Sequence, residues 1–305
     1  MFKKTSLIFL VVFFVVAWYA VFIPTSDFPV NSKVKIESGQ TEEEILQELQ
    51  SKNFIRSTFA TKVIDRLFLQ KPMQVGSFSF NKPLSTWQLM IALRIPPAKV
   101  RITIPEGFTK QQVADRLEKN LKDDEGNSNF DADYFLSKIE EGYVFPETYF
   151  FEKSVSTDEV LAKLVEERDL NVKKLSHTPT RNEVILASIL EREAKDGESM
   201  KMVAGILYNR LEVGMPLQVD ATILYAKGWK ERVTYKDLLH ESDYNTYQNK
   251  GLPPGAISNP GKIALEAAMN PTNSNYVYYL TGSDGQMYYA KTFEQHVVNK
   301  NKYLR

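Results

Sequence analysis

Three patterns of apolar and polar residues follow one another along the chain. An uncharged apolar run comes first, followed by a stretch in which short apolar segments alternate with glycine turns and amphipathic segments. From about Thr157 the apolar residues recur mainly at helical spacing, and two short aromatic segments, 276–282 and 287–292, close the chain around a Ser-Asp-Gly turn. Helical spacing together with a predicted antiparallel hairpin indicates an α+β fold.

The N-terminal apolar run extends from Leu7 to Ile23, after two lysines. Its length is at the short end for a membrane-spanning helix and exceeds a typical signal-peptide core. Trp18 and Tyr19 fit the aromatic belt at a bilayer surface. The positive-inside rule predicts a cytoplasmic stub at residues 1–6 and a single-pass anchor at 7–23, with everything after it outside the cytoplasmic membrane. A cleaved signal peptide is the alternative.

An internal repeat follows a polar linker at residues 24–33. The copies, "IESGQTEEEILQEL" at 36–49 and "IPEGFTKQQVADRL" at 104–117, share an isoleucine, a glycine, a threonine and two apolar positions at identical offsets. Each copy predicts a short strand, a glycine turn, a threonine N-cap with a capping-box partner, and an amphipathic helix. Two such units predict a small α+β module of the kind found in cell-wall-binding domains, which we place at residues 34–140.

Composition excludes several classes of function. Lys plus Arg and Asp plus Glu both number 38, so no net charge favours nucleic acid as a partner. The chain has no cysteine, which excludes disulfides and thiol chemistry and suits an oxidising compartment. The three histidines, His177, His240 and His296, lack metal-ligand spacing, and no phosphate-binding glycine loop is present. We therefore predict neither a metal nor another cofactor.

One predicted helix ends on two glutamates with different neighbours. Glu191 follows small residues one turn back and has Lys195 four residues on, which is the pattern of a solvated ion pair. Glu193 instead continues the apolar stripe of the helix. Burial would raise the pKa of Glu193, as a general acid at neutral pH requires. The alternative is that Glu193 turns outward in the last helical turn or pairs with Arg192 or Arg210.

The segments downstream of that helix are rich in side chains that suit sugar binding. Tyrosine rings stack on sugars, while amide and carboxylate groups bond to hydroxyl and acetamido groups. A loop rich in glycine and proline at residues 251–261 has limited backbone freedom. Core packing of the tyrosines and bracing by the loop are the alternatives. The candidates are Gln218, Asp220, Tyr244, Asn245 and Tyr247.

Five segments together are specific enough to indicate a protein family: "ASILEREA", "NRLEVGMPLQVDAT", "YNTY", "GLPPGAISNPG" and "EGYVFPETY". With them, over nearly its whole length, the chain resembles the YceG-like (MltG) family of endolytic murein transglycosylases. The resemblance implies a membrane anchor, a LysM-like module around the repeat, and a catalytic domain, placed at 141–305. It also implies that Glu193, the second glutamate of the E-x-E pair, is the catalytic acid. Glu191 and Asn259, which lie within these motifs, join the candidates for substrate binding.

The chemistry implied by the resemblance is cleavage of MurNAc-β-1,4-GlcNAc bonds inside nascent peptidoglycan strands, which leaves 1,6-anhydro-MurNAc ends and terminates elongation. Glu193 would protonate the glycosidic oxygen and then accept the proton of the C6 hydroxyl that attacks C1. The nucleophile belongs to the substrate, so a second carboxylate is not required. The implied partners are glycan strands, the membrane and enzymes of cell-wall synthesis.

Two other functions remain open from the sequence. A hydrolysing muramidase would use Asp220 to activate water across the sugar from Glu193. A non-catalytic scaffold that binds peptidoglycan would keep the repeat and the tyrosines, but would not need Glu193 to hold a proton.

Overall fold

The computed structural model describes residues 15, 18–122, 126–228 and 233–304. Of the predicted anchor, only residue 15 and residues 18–23 are among these, and residues 18–22 are helical. The rest of the anchor and the cytoplasmic stub lie outside the described residues. Among the helices that the structure does describe, none is long and apolar enough to cross a membrane. The anchor therefore stays a prediction.

Short strands alternate with helices in the first half of the chain, and helices dominate the second half. The strands are β1 (Lys33–Ile36), β2 (Gly76–Ser79), β3 (Lys99–Thr103), β4 (Thr148–Glu152), β5 (Tyr278–Thr281) and β6 (Met287–Ala290). The α-helices are α1 (Glu42–Ser51), α2 (Thr58–Ile64), α3 (Thr86–Ala92), α4 (Lys110–Leu121), α5 (Ala132–Lys138), α6 (Thr157–Val172), α7 (Arg181–Glu193), α8 (Gly197–Glu212), α9 (Asp220–Lys227), α10 (Tyr235–Leu238), α11 (Lys262–Met269) and α12 (Phe293–Tyr303). A π-helix (Asp65–Leu69) directly follows α2. This mixture confirms the predicted α+β class.

The chain divides into two compact units. The first comprises Met1–Val100, Asp123–Ser128 and Glu152–Val155, and the second comprises Arg101–Lys122, Asn129–Phe151 and Ser156–Arg305. The two copies of the internal repeat fall in different units. The sequence predicts a different, functional division: a module at 34–140 and a catalytic domain at 141–305. Compact units do not test which segment carries the activity, so this division stays a prediction. The LysM-like nature of the module also stays a prediction.

Both copies of the repeat form the local structure that the sequence predicts. In the first copy β1 leads into α1, where Thr41 accepts from the backbone N–H of Glu44 and the Glu44 carboxylate accepts from the N–H of Thr41. In the second copy Thr109 and Gln112 make the same two bonds at the start of α4. The turn glycine of each copy has a positive φ angle, which glycine adopts without steric cost.

In the first unit, β1 and β2 pair antiparallel, with Lys33 opposite Ser79 and Ile36 opposite Gly76. The apolar faces of α1 and α3 share one core with both strands. Helices this short are not stable alone in water, so burial of their apolar faces, together with the caps, is what stabilises them.

The second unit is built around α7, whose residues 184–190 are all buried. This helix packs against α8 and α11, and the three share one apolar core with Ala256 and Ile257 of the 251–261 loop. The hairpin predicted near the end of the chain is confirmed: β5 and β6 pair antiparallel, with Tyr278 opposite Ala290. The buried helix α7 thus carries its last residue, Glu193, to the edge of this core.

Gly205 lets α8 approach the chain segment after α11 closely. A Cβ atom at this position would clash with the carbonyl oxygen of Thr272, whose N–H donates to Lys201 O at 2.9 Å. Glycine inside a helix ordinarily costs about 1 kcal/mol relative to alanine. Here we expect the reverse: Gly205→Ala should lower the free energy of unfolding by about 1–3 kcal/mol because the backbones must separate. Urea denaturation measures this, with Glu212→Ala, at an exposed position of α8, as the control. A stabilised Gly205→Ala variant would contradict the close approach.

Candidate active site

Glu193 is the last residue of α7, and the chain becomes extended at Ala194. The start of the helix is fixed by a capping box between Thr180 and Glu183. Because seven consecutive residues of α7 are buried, the helix is held by the core along most of its length. The position of its final side chain is therefore set by packing rather than by a flexible loop.

The carboxylate of Glu193 accepts a hydrogen bond from the phenol of Tyr279, on β5, with Oη at 2.9 Å from Oε2. Glu193 is half-buried, and desolvation raises its pKa to about 7. The hydrogen bond from Tyr279 opposes this rise, whereas the negative charge of Asp220 adds to it. Near neutral pH the group can both give and take a proton, so its environment fits the predicted acid.

Arg210, on α8, holds the start of β5 in place. It is 5 % exposed, and its guanidinium donates from Nε to Val277 O and from Nη1 to Leu217 O, both at 2.6 Å. The same guanidinium lies over the rings of Tyr278 and Tyr279. Both of these N–H groups of Arg210 thus donate to backbone carbonyls. The side chain that donates a hydrogen bond to Glu193 is Tyr279, and not Arg192 or Arg210 as the alternative prediction had it. The charge of Arg210 nevertheless lowers the pKa of Glu193.

Asp220 and Tyr247 form a hydrogen-bonded pair close enough to Glu193 to act on its charge. The Tyr247 phenol donates to Asp220 Oδ1 at 2.6 Å, and the Asp220 charge acts on Glu193. Asp220 is exposed at the first position of α9. Burial, followed by the bond to Asp220, raises the pKa of Tyr247, so this phenol keeps its proton. The structure thus brings Asp220 and Tyr247 together with Glu193.

Gln218 lies two residues before Asp220, with its side chain exposed and its backbone in the left-handed region at φ 50°. Its N–H donates to Thr246 O at 3.0 Å, and its neighbours Leu217 and Val219 are buried. This conformation costs a non-glycine residue free energy, and it persists only where the surrounding structure imposes it. Here the buried side chains on either side of Gln218 hold the backbone in place. The side chain of Gln218 is therefore open to solvent two residues before Asp220, and its role in sugar binding stays a prediction.

Tyr244 lies in a separate cavity of about 390 Å³, which Tyr225 and Glu141 also line. The rings of Tyr225 and Tyr244 are 5.0 Å apart, and Tyr225 Oη donates to Glu141 at 3.2 Å. Burial raises the pKa of Glu141, although Lys110 N–H donates to it. Glu193 does not line this cavity, so the Tyr244 cavity is distinct from the surroundings of Glu193.

Asn245 and Asn259 differ from the expectation of direct bonds to sugar. Both are fully buried. Asn245 donates to the carbonyls of Leu238 and His240 and accepts from the N–H of Tyr247, so it braces the loop that carries Tyr247. The polar side chain of Asn245 and the motif position of Asn259 suggested sugar contact, but both amides bond to backbone groups of the protein.

Asn259 joins three parts of the second unit. Its Oδ1 accepts from Val144 N–H at 2.8 Å and its Nδ2 donates to Phe108 O at 2.9 Å. Its own backbone exchanges two more bonds with Gly107 and Phe108. The 251–261 loop is thereby tied to the turn of the second repeat copy and to the "EGYVFPETY" segment.

Asn259→Ala should lower the free energy of unfolding by about 1–3 kcal/mol, because it leaves the buried N–H of Val144 without its partner and removes one of the two donors to Phe108 O. Urea denaturation followed by circular dichroism measures the loss. Asn270→Ala, which removes an exposed amide bonded only to a carbonyl of its own helix, serves as the matched control and should change little. Equal effects of the two substitutions would contradict the bracing role of Asn259.

The predicted environment of Glu191 is wrong. Instead of a solvated ion pair with Lys195, Glu191 is half-buried and its Oε2 accepts from Gly261 N–H at 2.9 Å. Burial raises its pKa, and the Gly261 bond opposes the rise. A helix i, i+4 pattern could not reveal this, because the partner comes from the distant 251–261 loop. Glu191 therefore braces that loop, next to the catalytic candidate.

Tyr279 and Arg210 have a larger part in the site than the sequence suggested. The sequence predicts Arg210 only as a possible ion-pair partner of Glu193, and Tyr279 only as part of a hairpin. The one available signal was strand alternation, which directs one of the adjacent Tyr278 and Tyr279 towards the core. Among the residues that the structure describes, no group of His, Asp and Glu could hold a metal ion.

The fold and the site define an α+β protein in which the last residue of a buried helix, Glu193, is a carboxyl group with a pKa near neutrality. A sequence model described as the YceG-like family matches residues 34–302. The chain is 31% identical over 310 residues to an endolytic murein transglycosylase of Bacillus subtilis (strain 168), covering 91% of this chain and 86% of that protein. It is 28% identical over 324 residues to a protein of the same name from Streptococcus pneumoniae serotype 2, covering 87% and 58%.

A solved structure is also similar. The crystal structure of a YceG-like protein from Listeria monocytogenes aligns with a TM-score of 0.54 and 32% identity, covering 88% of this chain and 98% of the other. The chain belongs to the YceG-like family.

Proposed function

We propose that this protein is an endolytic lytic transglycosylase that cleaves MurNAc-β-1,4-GlcNAc bonds within peptidoglycan strands and leaves 1,6-anhydro-MurNAc ends. The observation that carries the proposal is Glu193, a desolvated carboxyl group with a pKa of about 7 and a hydrogen bond from Tyr279. Two relatives named endolytic murein transglycosylases support the same reaction.

In the proposed reaction, protonated Glu193 gives its proton to the glycosidic oxygen as the bond from that oxygen to C1 breaks. The electron pair of that bond leaves with the GlcNAc oxygen. The resulting Glu193 carboxylate then accepts the proton of the MurNAc C6 hydroxyl while O6 bonds to C1. Glu193 ends the cycle protonated, and no water is consumed. A pKa near neutrality suits both halves of this exchange.

The neighbours of Glu193 act on its charged form. Tyr279 donates to the carboxylate and Arg210 contributes positive charge, so both stabilise the anion that exists between the two proton transfers. The burial that raises the pKa keeps the group protonated beforehand. We assign Tyr279 and Arg210 to positioning Glu193, and Gln218, Asp220 and Tyr247 to the adjacent sugar.

A hydrolysing muramidase remains the second candidate because the charge of Asp220 acts on Glu193. In that reaction Asp220 would take a proton from water, and a reducing end would form. The bond from Tyr247 to Asp220 favours a positioning role, since a general base engaged by a phenol donor is a weaker base.

Mass spectrometry of the glycans released from purified peptidoglycan tests the proposal. Ends lighter by one water than a reducing sugar identify a transglycosylase, and reducing ends identify a hydrolase. Asp220→Asn separates the two further: it abolishes a hydrolase but only weakens a transglycosylase. If the folded protein releases nothing, the scaffold that binds peptidoglycan without cleaving it is the better description.

We also propose the cellular setting. The apolar run anchors the chain in the cytoplasmic membrane with its N-terminus in the cytoplasm and both compact units outside. The LysM-like module contacts peptidoglycan, and cleavage close to the membrane terminates elongation of nascent strands. Enzymes of cell-wall synthesis, which extend those strands, are the proposed protein partners. Protease protection in intact and permeabilised cells tests the orientation.

A further inference from the structure

The first compact unit has an exposed apolar face made largely of aromatic rings. Phe59, on α2, is 73% exposed, and Leu67 and Phe68, on the π-helix that directly follows, are 63% and 67% exposed. Trp87, half-buried on α3, lies beside Phe68, with the two ring centroids 6.1 Å apart. Large apolar side chains exposed in a contiguous patch indicate an interaction surface, whereas single exposed ones do not. We call these four residues and Phe22 the aromatic face.

The aromatic face is continuous with the end of the apolar N-terminal run. The ring of Phe22 lies 6.0 Å from that of Trp87, and the ring of Trp18 lies 6.2 Å from that of Phe22. Trp18 and Phe22 are themselves about half exposed. Rings from the run and rings from the folded unit therefore form one surface.

Two polar contacts hold the end of the run against the first unit. The Thr86 hydroxyl donates to Ala20 O at 3.2 Å. The Arg56 guanidinium donates to Pro24 O and lies over the ring of Tyr19, 4.5 Å from its centroid. These contacts fix the depth of the aromatic face relative to Trp18 and Tyr19, instead of leaving the run as a loose tether.

The π-helix contributes to the shape of this face. It places Leu67 and Phe68, neighbours in sequence, both outward, while its first residue Asp65 is buried with a bond from Arg94. Exposed Arg66 lies beside the two apolar side chains. Aromatic and aliphatic side chains next to a cation are typical of segments that lie at a bilayer surface.

From these contacts we propose that the aromatic face binds the lipid bilayer, with Phe59, Leu67, Phe68 and Trp87 in the interfacial region. This inference rests on the proposed anchor. If Trp18 and Tyr19 mark the bilayer surface, then Trp87, in contact through Phe22, lies at the same depth. The first unit thus rests on the membrane and is not carried away from it by a flexible linker.

The test uses the full chain in phosphatidylcholine–phosphatidylglycerol vesicles and two single-tryptophan variants. The chain has tryptophan at 18, 87 and 229. Trp18→Phe with Trp229→Phe leaves Trp87 as the reporter of the face, and Trp87→Phe with Trp229→Phe leaves Trp18 as the reporter of the anchor. Lipids brominated on their acyl chains should quench Trp87 emission by about half, as for an interfacial aromatic, and aqueous iodide should quench it little.

The two reporters distinguish failure of the face from failure of the anchor. Quenched Trp18 with unquenched, iodide-accessible Trp87 overturns the proposal and leaves the anchor intact. If brominated lipids quench neither, both the anchor and the proposal fall. If Trp87 is shielded from iodide but not quenched by brominated lipids, protein covers the face, as in a pair of copies, and the proposal is overturned.

A further variant tests whether the quenching of Trp87 depends on the other residues of the aromatic face. Replacing Phe59, Leu67 and Phe68 with serine removes exposed apolar groups, so folding should be little affected. Quenching of Trp87 should then fall at least twofold, while quenching of Trp18 stays the same. Val213→Ser with Leu239→Ser, which removes exposed apolar groups of the second unit, is the matched control and should leave both signals unchanged. Unaltered Trp87 quenching in the serine variant would contradict lipid contact by these residues.

Discussion

Glu193→Gln should lower the rate at which 1,6-anhydro ends appear by about 10²–10⁴-fold, the usual contribution of a general acid–base group. Glutamine has the same shape and keeps an oxygen that can accept from Tyr279, but it cannot transfer a proton. The measurement is the initial rate of anhydro-ended products from purified peptidoglycan, followed by chromatography and mass spectrometry.

The same variant should be more stable than the parent protein at high pH, which separates a chemical defect from a folding defect. The pKa of Glu193 is raised from 4.5 to about 7 in the folded protein. The folded state therefore loses stability as pH rises through this range, because ionisation is easier in the unfolded chain. Glutamine carries no such cost, so Glu193→Gln should gain about 2–3 kcal/mol at pH 8 and little at pH 4.

Glu191→Gln is the matched control for the activity measurement. It keeps the acceptor oxygen for Gly261 N–H, two residues from the catalytic candidate on the same helix. Its rate should remain within about tenfold of the parent rate, because Glu191 braces a loop and does not exchange protons. A larger loss in Glu191→Gln than in Glu193→Gln would show that the acid has been assigned to the wrong residue.

Tyr279→Phe should lower kcat about tenfold and shift the pH profile. The variant removes the hydrogen bond to the Glu193 carboxylate, and a bond to a charged group contributes about 1.5–3 kcal/mol. The anion between the two proton transfers is then less stable. The pKa of Glu193 also rises, so the activity lost on the alkaline side is lost about one pH unit higher.

A pH–rate profile of both proteins checks this, because a merely structural role would lower the rate at all pH values without moving the profile. Tyr278→Phe is the control, since its phenol is on the same strand and the partner of Glu193 is Tyr279. If Tyr279→Phe lowers kcat but leaves the alkaline limb in place, then Tyr279 does not set the proton affinity of Glu193.

The sequence was most informative where structure is local. The capping boxes of α1, α4 and α7 lie within four residues of the chain, so the start of each helix could be predicted from the sequence. The apolar stripe of α7 likewise identified Glu193 as the glutamate that belongs on the buried side. Packing of the unit then determined how deeply that side chain is buried, which no local pattern specifies.

The sequence was least informative for contacts between distant segments. Tyr279 is 86 positions from Glu193, and Asn259 is 115 positions from Val144. Nothing in either short segment specifies its partner. For the same reason Asn245 and Asn259 were predicted to bind sugar, although their amides bond to backbone groups of distant or looped segments. The repeat shows the same limit, because its two copies fold as predicted but belong to different compact units.

The position of Glu193 at the end of α7 has a further electrostatic consequence. The carbonyl groups of the last helical turn give that end of a helix a partial negative charge, which disfavours a nearby carboxylate. The same side chain in the first turn would be favoured in its ionised form. Because Glu193 is the last residue of α7, the helix dipole helps to raise its pKa. This contribution comes from the backbone, so no substitution of neighbouring side chains removes it.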